Sequence, residues 1–153
     1  MPETDGGAGA LQYPESVLLV GAAQSVWNGS KALVRIEMEV SGKLENRMAG
    51  EGIAPLECVF ITDSDMRHIK RRHSRGEEPR GQVSLAPGDF AVLPEVLNDF
   101  DTCERTGIDK LGNKLFLLSK EIDGTWYVVT VQRGKRKLQV KTMWKRGLPG
   151  ASC

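Results

Sequence analysis

Residues 114–144, KLFLLSKEIDGTWYVVTVQRGKRKLQVKTMW, decide the fold. Three runs rich in β-branched and aromatic residues, Lys114 to Glu121, Thr125 to Gln132 and Arg136 to Trp144, read as strands. Asp123-Gly124 is a dipeptide that closes a two-residue hairpin, and Arg133-Gly134-Lys135 supplies the next turn. An antiparallel meander is therefore expected, with a fourth strand near Thr102 to Arg105 that closes through Gly112-Asn113.

Toward the N-terminus the period changes. Residues 89–98, DFAVLPEVLN, place apolar side chains at 90, 93, 96 and 97, a helical stripe in which Pro94 makes a kink or a fresh first turn. Before them, Glu57 to Ile61 read as a buried strand, and Thr62-Asp63-Ser64-Asp65 supply a helix cap with acids in the first turn. Met66, Ile69 and His73 then share one helical face. His68 lies five residues before His73, which sets the two rings roughly 140° apart around the helix and rules them out as a helical metal pair. The loop Ser74 to Gly81 ends this helix.

Val17 to Val20 and the alternating Lys31 to Val40 read as two strands of a hairpin turned at Asn28-Gly29, followed by a connector, 41–56, with a turn of helix. The expected organisation is a flexible terminus (1–14), N-terminal strands and connector on the same core (15–56), the main domain (57–146) and a tail (147–153). The class is α+β: N-terminal helices on a C-terminal twisted antiparallel sheet, with an additional N-terminal β-hairpin.

At 153 residues the chain can bury one core unaided. Its three cysteines, Cys58, Cys103 and Cys153, are odd in number and widely spaced, so neither a disulfide framework nor a zinc site follows, and no cofactor is implied. The short apolar run near the start is neither a secretory signal nor a membrane span, so a soluble, cytoplasmic protein is expected. The net charge of +1 conceals a separation. Residues 1–65 carry 10 acids and 4 bases, whereas residues 66–153 carry 17 bases and 10 acids. The second part is a candidate nucleic-acid face, although solvated lysines on an ordinary surface have the same composition.

Within that part, Asp65 to Arg75 holds both histidines and five arginines and lysines. Imidazole takes and gives protons near neutral pH, and guanidinium pairs with phosphate, so the combination points to phosphodiester chemistry. His73 is the first candidate for general acid or base, with a core histidine as its alternative. His68 is a second, if both rings reach one phosphate. Arg71 and Arg72 can clamp phosphate, Arg133 and Lys141 can track a backbone, and Trp144 can stack on a base. No acidic or Cys/His cluster has ligand spacing for a metal.

The strand-then-helix ECVFITDSDMRHIKRRH, the following GDFAVLPEVLND, the hairpin LFLLSKEIDGTWYVVTV and the final LQVKTMW together resemble the nuclease superfamily of barnase, EndoU and RelE-type toxins. Within it they look like the phage-associated branch called PBECR. The resemblance implies metal-independent RNA cleavage by attack of a ribose hydroxyl on the adjacent phosphate, in a toxin-like or phage-encoded enzyme acting in the host cytoplasm. It also implies that Thr142 touches substrate phosphate from the last strand and that Lys120 stabilises developing charge. Without those roles, Thr142 is an inward-facing β-branched residue and Lys120 an edge-strand lysine. RNA is the expected partner, with an inhibitor or immunity protein and a phage structural protein as further ones. Two rivals stay open: a nucleic-acid-binding module without catalysis, and a phage structural protein that keeps only the fold.

Overall fold

The computed structural model describes residues 13–53, 55–74 and 82–147. The expected flexible terminus, the loop after Ser74 and the expected tail fall, but for their boundary residues, outside the described residues. The chain runs α1 (Glu15–Trp27), β1 (Arg35–Met38), α2 (Gly42–Ala49), β2 (Cys58–Thr62), α3 (Asp63–His73), β3 (Gln82–Val83), a 3₁₀ turn (Pro87–Val92), α4 (Leu93–Asn98), β4 (Thr102–Ile108), β5 (Lys114–Ile122), β6 (Thr125–Arg133) and β7 (Lys137–Gly147). The seven strands form one sheet in the order β1-β2-β7-β6-β5-β4, with β3 also on β7.

The α+β class and the C-terminal antiparallel meander stand as the sequence indicates. Asp123 (φ 52°) and Gly124 (φ 80°) close the β5–β6 hairpin in the left-handed region that a two-residue turn requires. Pro94 sits in the first turn of α4, where its missing N–H costs nothing, so it starts a helix instead of kinking one.

The expected N-terminal hairpin is corrected. Residues 15–27 are helical, and β1 pairs with β2. Ser16, Leu19, Ala23 and Val26 form one buried face at helical spacing. The opposite face is also apolar, with Val17 75% and Leu18 64% exposed, and that continuous run is what imitates a strand. Asn28-Gly29 ends this helix instead of turning a hairpin. The Asn28 and Gly29 amides return to the carbonyls of Gln24 and Val26, and Gly29 takes φ +92°. The sheet is also mixed, because β2 runs parallel to β7.

One core joins both ends of the chain: Leu19, Ala23 and Val26 of α1 pack with Phe90, Leu97, Phe116, Val129 and Met143. Ser16 donates to the Ala91 carbonyl at 2.6 Å, tying α1 to the 3₁₀ turn.

Asp63 locks β1 to α3. Its Oδ1 accepts from the Val34 amide at 2.8 Å, and its other oxygen pairs with Arg67. The hydrogen bond from the Val34 amide, helped by Arg67, overcomes the cost of burial and holds the Asp63 carboxyl below the ordinary aspartate value of 3.8. A depressed folded-state pKa stabilises above the unfolded value, and this stabilisation disappears as pH falls through the folded one. Asp63→Asn is therefore expected to lower Tm at pH 7 and to converge on the wild type in acid. An unchanged Tm gap at pH 3 would contradict this.

Candidate active site

Helix α3 begins where β2 ends, and a capping box holds that junction. The Asp65 amide donates to Thr62 Oγ1, while Asp65 Oδ2 accepts from the Thr62 amide at 3.0 Å. Asp65 also binds the last strand: Gln139 Nε2 donates to Oδ2 at 2.8 Å, and Lys141 Nζ lies 3.5 Å from Oδ1. One buried carboxylate thus fixes the helix start and aims a lysine beside it.

Strand β2 pairs only with residues 137–139 of β7, and β3 only with 145–146. Between them, residues 140–144 have a strand partner on one side alone among the described residues. Here the β6–β7 register shifts: Thr130 faces Thr142, but Val131 faces Val140, so Lys141 is an extra, bulged residue. The bulge changes the side-chain phase. Leu138, Val140 and Met143 enter the core, while Thr142 is expelled from it. The inward setting considered for Thr142 is corrected for this reason.

The open edge of β7 and the facing side of α3 enclose a cavity of about 400 Å³ lined by Ser64, Asp65, His68, Arg71, Lys141 and Thr142. Four of the sequence candidates meet here: His68, Arg71, Lys141 and Thr142. A proton-transfer group, two cations and a hydroxyl in one cavity are what in-line displacement at a phosphodiester needs.

His73 lies elsewhere. It is half-buried at the helix end, with Nδ1 3.2 Å from Gln82 Oε1 and its carbonyl accepting from the Leu85 amide at 2.7 Å. It does not line the cavity that holds Thr142.

A family model matches residues 38–148, most of the chain: phage-Barnase-EndoU-ColicinE5/D-RelE like nuclease3, or PBECR3. The chain belongs to the PBECR3 nuclease family. No curated protein and no solved structure matches it. Every residue lining the edge cavity lies inside the PBECR3 match, whereas α1 and the turn after it precede the match. Membership makes the fold nuclease-like and indicates nucleic acid as the substrate class. No helix among the described residues is long and apolar enough to cross a membrane.

The other candidates are spread over the PBECR3 fold. Lys120 is in register with Tyr127, and Tyr127 with Lys145, so all three share one face of the sheet. Thr142, three residues from Lys145 in unbroken register, is on the other face. Lys120 Nζ pairs with Asp99 at 3.3 Å and Asp101 at 3.8 Å. Burial alone would lower the Lys120 pKa, but Asp99, Asp101 and Glu95 outweigh it and raise it. On the same face, Lys145 lies 2.8 Å from Asp89, which also accepts from the Tyr127 hydroxyl at 3.2 Å. Burial, reinforced by Asp89, pushes the Tyr127 pKa up to about 12, so this phenol keeps its proton, donates a hydrogen bond and stays neutral. These contacts tie the 3₁₀ turn and α4 to the sheet. Lys120→Ala is accordingly expected to cost about 1 kcal/mol of stability, with cleavage unchanged. A selective loss of kcat would return Lys120 to the chemistry.

Arg133 sits at the opposite end of β7 from Lys145, in register with Leu138. Trp144 shares the face of Thr142 two residues on, with the Arg146 guanidinium 5.9 Å from its ring. Arg72 is exposed beside Arg71. Three participants are not singled out by residue type: Ser64, Gln139, and Asp65 in its second role. Of these, Ser64 alone has a signal in the spacing, because Ser64, His68 and Arg71 stand at i, i+4 and i+7, on a different stripe from Met66, Ile69 and His73.

Proposed function

We propose that this PBECR3 protein is a metal-independent endoribonuclease that uses His68 for proton transfer. The observation that carries the reading is the convergence of His68, Arg71, Lys141 and Thr142 on one cavity at the unpaired edge of β7. In this mechanism His68 removes the proton of a ribose 2′-hydroxyl. The 2′-oxygen bonds to the adjacent phosphorus, the bond to the 5′-oxygen breaks, and the 5′-oxygen takes a proton from solvent at the cavity mouth. The products are a cyclic phosphate and a 5′-hydroxyl. Arg71 and Lys141 offset the charge on the pentavalent phosphate, and Thr142 donates a hydrogen bond to one of its oxygens.

Asp65 supports the reading from outside the reaction, since its pairing holds the Lys141 ammonium at the bulge. Among the described residues no group of three or more His, Cys, Asp or Glu is placed to hold a metal ion. Among the described residues the one carboxylate lining the cavity, that of Asp65, is taken up by the cap, Gln139 and Lys141. The phage association of the family favours a phage-encoded or delivered toxin-like enzyme acting in host cytoplasm, where an inhibitor protein would cover the same cationic edge.

The test compares an RNA oligonucleotide with DNA of the same sequence. The proposal predicts cleavage of RNA alone, because DNA lacks the attacking hydroxyl. Equal cleavage of both would exclude this chemistry. RNA binding without cleavage at any pH would leave the fold as a binding module.

A further inference from the structure

Helix α3 has a third face. Arg67, Lys70, Arg71 and Ser74, at i, i+3, i+4 and i+7, turn toward the end of α1 and its following turn. The groove between them is a cavity of about 600 Å³, closed on the other side by Val26, Ser30 and Lys31. Among the described residues, four cations line it and no carboxylate does. Arg67 is engaged by Asp63. Lys70 donates to the Trp27 carbonyl at 3.1 Å, a neutral partner that leaves its charge uncompensated. Among the described residues, none of Lys31, Lys70 and Arg71 has a carboxylate within ion-pair distance. Three positive charges with no carboxylate partner among the described residues, over an apolar floor, suit a phosphate with its attached nucleoside.

Arg71 lines this groove and the candidate catalytic cavity alike, so the two adjoin at one residue. Val26, Ser30 and Lys31 precede the family match, which begins at residue 38. We propose that the groove is a second RNA subsite, assembled by the N-terminal segment of this chain, which holds the phosphodiester next to the scissile one. The inference rests on the ribonuclease reading for its substrate and makes cleavage depend on substrate length.

The experiment uses the full-length protein and its Lys31→Gln variant, with Lys110→Gln, in the exposed turn between β4 and β5, as control. Binding of a pentanucleotide carrying 2′-O-methyl groups, which cannot be cut, is followed by fluorescence anisotropy against salt. Lys31→Gln is expected to reduce the slope of log affinity against log salt by about 0.7, the single-strand value for one phosphate contact, and to weaken binding roughly fivefold at 0.1 M salt. In turnover, KM for an unmodified pentanucleotide should rise by about the same factor while kcat is kept. A dinucleotide, with one phosphate, should be cut equally by both proteins. Equal slopes for wild type and Lys31→Gln, or the same change in Lys110→Gln, would overturn the subsite. Since the binding arm needs no turnover, a slope change with no cleavage of either RNA would uphold the subsite and sink the ribonuclease reading alone.

Discussion

Replacing His68 with alanine is expected to slow RNA cleavage by about 10²–10⁴-fold, the usual contribution of one general acid–base group, with RNA affinity nearly unchanged. The side chain lines the cavity with Arg71, Lys141 and Thr142, so its loss removes the proposed proton acceptor but leaves the cations proposed to hold phosphate. His73→Ala should behave differently. Its ring meets Gln82 at the end of the stripe that carries Met66 and Ile69, both fully buried, so its removal should lower Tm and cost far less in kcat. Single-turnover rates with unfolding curves for the two variants separate these outcomes. If His73→Ala abolishes cleavage in a stable protein while His68→Ala stays active, the roles proposed for the two histidines are reversed.

A chain beginning at Glu51 is expected not to fold. It would lack α1, β1 and α2, and with them the buried side chains of Leu19, Val26, Ile36, Met38, Leu44 and Met48. At about 1.5–3 kcal/mol for each fully buried aliphatic side chain, the loss is of order 10 kcal/mol, as large as the whole stability of an ordinary domain. It would also uncover the edge of β2 that β1 now pairs, a template for aggregation. The single substitution Leu19→Ala isolates the α1 contribution and should cost about 2–5 kcal/mol in denaturant unfolding. A cooperative transition in the truncated chain would show that the N-terminal segment is an accessory and not part of the core.

The meander was legible because its turns carry their own chemistry: Asp123 and Gly124 have the positive φ values that their dipeptide leads one to expect. The start of α3 was legible for the same reason, since Thr62 and Asp65 cap it by local hydrogen bonds. Helix α1 was not. Its outer face carries Val17 and Leu18, so apolar residues appear all round and the periodic signal vanishes, while Asn28-Gly29 serves a helix end as readily as a hairpin.

Within the site, residue type pointed to α3 but could not choose between its histidines. That choice depends on which face of α3 meets β7, and so on the parallel pairing of β2 with β7 between strands distant in sequence. The bulge at Lys141 was equally hidden. It makes neighbours of Lys141 and Thr142, which strict alternation assigns to opposite faces, and no turn residue or glycine marks it. Lys120 illustrates the converse: a residue type that suits catalysis is here bound to Asp99 and Asp101 on the helix-covered face of the sheet.

The central claim is that His68, at the unpaired edge of β7, transfers the proton of a ribose hydroxyl that attacks its own phosphate. Mapping the ends of RNA fragments produced by the wild-type protein in excess EDTA tests it most directly. The prediction is a 2′,3′-cyclic phosphate on one fragment and a 5′-hydroxyl on the other, both missing with His68→Ala. Fragments with 3′-hydroxyl and 5′-phosphate ends, or cleavage that EDTA stops, would contradict it.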